Sequence, residues 1–150
     1  MEQVHPMTIL QYLALIHEVS YTHVCKEIGL TPQQFSDWVK KRRPVPKERL
    51  QAIADYFNME PNLLIDENSY LQDLTVDKKI DIQIMFLKQL VQQAEAGADI
   101  EAYQDKLIRL EGEKEQQSLI QRFAAVVKQG NAQTIQLCET FVEQLESNDS

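Results

Sequence analysis

Apolar residues along the first half of the chain recur at helical steps and are punctuated by capping residues. Ile9, Leu10, Leu13 and Ile16 share one face. This predicts a first helix from Pro6 or Met7 to about Val19. Ser20 offers an N-cap for a short second helix, Tyr21 to Ile28, and Gly29 stands where a left-handed residue closes it. Thr31, Pro32 and Gln34 fill the N-cap, first-turn proline and capping-box places of a third helix, which should run to about Lys41 and stop before Pro44. Its buried side is Phe35, Trp38 and Val39. Pro44-Val45-Pro46 reads as a stiff connector. Leu50, Ile53, Ala54 and Phe57 stripe a fourth helix over about 47–57, and Pro61 to Ile65 open a short fifth. The polar run Asp66 to Ser69 marks a domain edge near residue 70.

The second half, 75–146, carries narrower stripes. Ile80, Ile84, Leu87, Val91 and Ala94 follow the alternating four- and three-residue step of a heptad seam. After Gly97 the step continues through Ile100, Tyr103, Leu107 and Leu110, then lapses around Gly112. It resumes at Leu119, Ile120, Phe123, Val126 and Val127, breaks at Gly130-Asn131, and ends with Ile135, Cys138, Val142 and Leu145. Two or three helices and a frayed tail at 147–150 are expected. No sustained period-two alternation occurs, so the fold class is all-α. Seams this thin suit self-association, as a dimer or tetramer through Ile80, Ile84, Leu87 and Val91, better than a self-contained bundle.

Charge changes the picture only once it is partitioned. The net charge is −8 over 150 residues. Residues 1–66 hold 7 Lys and Arg against 8 Asp and Glu, a net −1, and residues 67–150 hold 8 against 15, a net −7. Four of the first seven bases form one run, Lys40-Lys41-Arg42-Arg43. Beyond about 8–10 Å salt screens the distant acid, so the local run governs how phosphate is met. Cys25 and Cys138 are far apart, with no paired-cysteine motif, which fits a reducing cytoplasm. No signal peptide and no membrane-spanning apolar run is read in the sequence.

The window Tyr21 to Lys40 carries the function. Two helices held at a steep angle by a tight turn need a small residue at the crossing, and Cys25 supplies it. They need a glycine in the turn, Gly29, and apolar ties to the domain, here Val24, Ile28, Leu30, Phe35 and Trp38. The stretch Val24 to Trp38, with Leu50 to Leu64 downstream, resembles the lambda-repressor-like, or Xre, helix-turn-helix family over about residues 5–66. The resemblance implies a five-helix DNA-binding domain, usually dimeric on a palindromic operator. Where the family often has an acidic residue and glycine after the recognition helix, this chain has Lys40 and Lys41.

Helical geometry puts Gln33, Asp37 and Lys40 opposite the buried side of the third helix. The resemblance maps base contacts onto Pro32, Gln33 and Asp37, and Ser36 is a further candidate. Gln can pair bidentately with adenine, and Asp can accept from the cytosine amino group. Ser20, Tyr21, Thr31, Lys40, Lys41, Arg42, Arg43 and Lys47 are expected to meet phosphates. No nucleotide loop, metalloprotease motif or self-cleaving pair is present, and His5, His17 and His23 are scattered. Neither an enzyme nor a cofactor or metal is expected.

Two functions remain open at this point. The first is a repressor of a phage, plasmid or other mobile element, acting on a double-stranded operator in the cytoplasm and nucleoid. The second is a helix-turn-helix-derived interaction module, such as an antirepressor or a partner of another regulator. An antirepressor protein or inducer peptide could act on the second half.

Overall fold

Local capping decides where the helices of the first half begin and end. The structure is a computed structural model and describes residues 6–148; His5 lies outside them. Thr8 starts α1 (Ile9–Ile16). Its hydroxyl accepts the Gln11 N–H at 3.2 Å, and the Gln11 side chain accepts the Thr8 N–H at 2.9 Å. That reciprocal pair sets the helix start after Met7 rather than at Pro6. The helix also ends before Val19, because Glu18 turns left-handed (φ 55°) and the Val19 N–H returns to the Ala14 carbonyl.

The second helix, α2 (Tyr21–Ile28), is capped by Ser20 and closed by Gly29 at φ 80°. Next, α3 (Pro32–Val39) has both halves of its capping box formed by Thr31 and Gln34. It stops short of Lys41, which adopts φ 59° while the Arg42 N–H reaches back to the Asp37 carbonyl at 2.8 Å. Then α4 (Lys47–Phe57) ends at the left-handed Asn58. The expected fifth helix is only a 3₁₀ turn, Pro61–Leu63.

The core gathers Leu10 and Leu13 of α1, Val24 of α2, Phe35 and Trp38 of α3, and Ile53 and Phe57 of α4. It does not close at residue 70. A strap over 70–74 crosses back beneath α1: the Ile9 N–H donates to the Gln72 carbonyl at 3.0 Å and the Leu74 N–H to the Met7 carbonyl at 2.8 Å. Single antiparallel bridges join Thr8 to Asp73 and Ile65 to Leu71. Leu71 is fully buried, and Ile82 of α5 (Val76–Gln93) is buried with it in the core. Gln83 hydrogen-bonds Tyr12, and Lys79 lies 5.9 Å over the Tyr12 ring. Phe86 meets the His17 ring edge-on at 4.9 Å. The first compact unit therefore ends at Phe86, and the polar run after Ile65 is a turn within it.

The second unit begins at Leu87, within α5. It contains α6 (Glu101–Gln129), which passes through Gly112 without a break, and α7 (Ala132–Asn148). Asn131 caps α7 by accepting the Thr134 N–H at 2.9 Å. Ser147 and Asn148 are helical; the last two residues of the expected frayed tail lie outside the described residues.

One expectation about surface needs correcting. Ile80, Ile84 and Leu87 are only 6%, 8% and 5% exposed in the single chain, and Val91 is half-buried. In the single chain the heptad stripe on α5 is thus buried at Ile80, Ile84 and Leu87 and half-covered at Val91. Most of the large apolar residues left in the open are on α6 and α7, among them Leu119, Ile120, Leu137 and Phe141. Cys25 is buried, and burial pushes its thiol up; Cys138 is half-buried; both are free thiols.

Candidate nucleic-acid interface

The candidate interface is built on α2, the turn at Gly29, and α3. Cys25 is buried at the centre of α2, beside Val24. Gly29 takes a backbone conformation that side chains disfavour, and there the α2 C-terminus meets α4. Arg49 on α4 donates from Nη1 to the Ile28 carbonyl at 3.1 Å, which satisfies an otherwise orphaned carbonyl and sets a cation against the helix dipole. Sequence reading missed Arg49, because its partner lies 21 residues away. The only signal was an unassigned base on the α4 surface.

With Phe35 and Trp38 buried, α3 turns Pro32 and Gln33 outward, and Ser36 and Asp37 are half-buried. Gln33 and Asp37 bind each other: Gln33 Nε2 donates to Asp37 Oδ1 at 2.9 Å. Asp37, whose side chain is 16% exposed, also draws in Arg42 Nη1 at 3.7 Å and Arg43 Nε at 4.0 Å. An amide nitrogen carries two hydrogens, so Gln33 keeps one N–H and its carbonyl oxygen for a base edge. In this arrangement Asp37 orients Gln33 and tethers two arginines.

The expected phosphate contacts divide into four groups. At the start of α2, Ser20 is exposed and its oxygen accepts the His23 N–H at 3.0 Å, while the Tyr21 ring leans on Phe35 at 4.9 Å. At the start of α3, exposed Thr31 accepts the Gln34 N–H at 3.1 Å. After α3, Lys40 is exposed and makes no ion pair among the described residues, whereas Lys41 Nζ meets Asp73 Oδ2 at 2.7 Å. Arg42 and Arg43 remain mostly exposed despite their contact with Asp37. Lys47 is exposed at the start of α4. Asp73 is the second partner that sequence reading missed, since it sits on the strap.

Residues 10–66 match the family model of the Cro/C1-type helix-turn-helix DNA-binding domain. They form a Cro/C1-type domain. No curated protein and no solved structure matches the chain. The Cro/C1-type domain is a DNA-binding module of the kind transcription regulators carry. The match spans only residues 10–66, so it omits Thr8 before it and the 70–74 strap and Ile82 after it, all of which finish the core here. Among the described residues, no three His, Cys, Asp or Glu side chains come together to hold a metal. No described helix is long and apolar enough to cross a membrane.

Proposed function

We propose that the protein is a sequence-specific regulator of transcription, a repressor of a phage, plasmid or other mobile element, that grips a double-stranded operator as a dimer or higher oligomer. The observation that carries this reading is the end-to-end chemistry of α3. Its first turn is capped and aimed outward with Gln33 oriented by Asp37, and its last turn runs into four consecutive bases. Base edges are read by the first feature and phosphates are met by the second. Regulation without catalysis is the reading that follows. The test is a mobility-shift series with DNA from upstream of the protein's own gene, set against scrambled competitor at fixed salt. Selective retardation supports the proposal; equal, weak retardation of both removes it.

A second reading rests on Asp37, whose charge sits among the bases of the recognition helix. An interaction module derived from this fold, such as an antirepressor, has no need of free arginines there. A chain that binds no DNA at low salt but captures another regulator would be that module.

A further inference from the structure

The α6–α7 hairpin is a pair of helices with too little between them. Leu110 is the buried residue of α6, and α7 has none. Leu119 is 64% exposed, Leu137 66% and Phe141 54%, with Ile120, Val126 and Leu145 close behind. On α7 the apolar residues Ile135, Leu137, Cys138, Phe141, Val142 and Leu145 cover roughly 160° of the helix at 100° per residue, far wider than the strip one neighbouring helix covers. Two open grooves flank the contact line. One, about 460 Å³, runs along Val127, Ile135 and Cys138, and the other, about 400 Å³, along Ile120, Ala124 and Phe141. Monomers seldom leave connected apolar patches beyond several hundred Å².

Charge identifies what covers it. Residues 116–129 of α6 carry Arg122 and Lys128 and no acid, while 132–148 of α7 carry Glu139, Glu143 and Glu146 and no base. Arg122 stands one helical turn from both Leu119 and Val126; Glu139 stands one turn from both Ile135 and Val142. The charges therefore flank the apolar strips, where charged residues choose helix partners. Among the described residues, none of these five makes an ion pair within the chain. A surface basic along one helix and acidic along the other is complementary to itself after a two-fold rotation.

We propose that two copies of this chain pair through the hairpin, each α6 lying beside the partner copy's α7 in a four-helix bundle. This rests on the dimeric reading given above and assigns its surface. Two full-length variants test it: Arg122→Glu with Lys128→Glu, and Glu139→Lys with Glu143→Lys and Glu146→Lys. Each is examined by sedimentation velocity from 0.1 to about 50 μM, with circular dichroism to show that the helices persist. The wild type should be dimeric. Each variant alone should dissociate at least tenfold more readily, and an equimolar mixture should recover mixed dimers close to wild-type affinity. Charge pairing confined to a single chain gives no such recovery, because each variant keeps like charges on its own two helices. A monomeric wild type, variants that pair as well as wild type, or a mixture without recovery each overturns the proposal. Mobility shifts on the same samples keep the two readings separate. A wild-type dimer indifferent to both variants loses this surface but keeps the dimeric regulator. Recovery in the mixture without any DNA shift keeps this surface and removes the regulator.

Discussion

In the proposed recognition surface, Gln33 and Asp37 divide the work unequally. Gln33 has an oxygen and an N–H left for a base, so Gln33→Ala should reduce discrimination between operator and scrambled DNA by about 1–3 kcal/mol while nonspecific binding stays nearly constant. Competition binding measures this, and unchanged selectivity would put another residue at the base edge. Asp37 is better placed to hold Gln33 and restrain Arg42 and Arg43 than to read a base itself. Asp37→Asn keeps an acceptor for Gln33 but removes the charge holding the arginines. Nonspecific affinity should then rise and the salt dependence steepen by about one unit of slope for each arginine that reaches a phosphate. A changed base preference in Asp37→Asn, at constant salt slope, would show instead that Asp37 touches a base directly.

At the scale of elements, the end of α3 balances strain against charge. Lys41 holds a left-handed conformation that costs a side-chain-bearing residue about 1–2 kcal/mol. Its ion pair with Asp73 is nearly half exposed, and such pairs contribute about 0–1 kcal/mol. The first quantity is larger, so Lys41→Gly should raise stability by up to about 1 kcal/mol, read as a higher midpoint of thermal unfolding. A lower midpoint would mean that the tie to the strap dominates. The same comparison shows what was legible in the sequence. The bounds of α2 and α4 follow from Ser20, Gly29 and the apolar stripe of α4, all local signals. The start of α1 differs from its apolar stripe because Thr8 and Gln11 form a capping box there. The strap was invisible, since its bridge to Thr8 joins residues far apart in sequence and its short segments show no alternation. In the site, the outward face of α3 could be read from periodicity, whereas the Gln33–Asp37 bond and the Lys41–Asp73 and Arg49–Ile28 ties could not. The α5 stripe was legible as a buried face, but a stripe does not say whether its own chain or another covers it.

For the whole molecule, the reach of the first core to Ile82 sets where the chain can be cut. Burying one isoleucine contributes about 1.5–3 kcal/mol, so residues 1–72 should unfold roughly 10 °C or more below residues 1–90. Equal midpoints would make the first half of α5 an ornament to the core. His17 adds a pH dependence. Burial between Phe57 and Phe86 lowers its affinity for a proton in the folded state. The unfolded chain therefore binds more protons below the ordinary histidine value of about 6.5, and stability should fall as pH drops from there toward the lower folded value. Unfolding midpoints at pH 7.5 and 5.5 test this, with His17→Phe expected to lose that part of the decline.

The two cysteines give each unit its own clock. Cys25 lies sealed in the recognition head with a thiol held protonated, and Cys138 lies half-open in the hairpin. In the proposed dimer, a thiol reagent applied to the native protein would reach Cys138 at a rate governed by separation of the paired hairpins. It reaches Cys25 only as often as the head breathes open. Mass spectrometry of the two labelled peptides during a single exposure would time subunit exchange and head opening independently, with no engineered reporter.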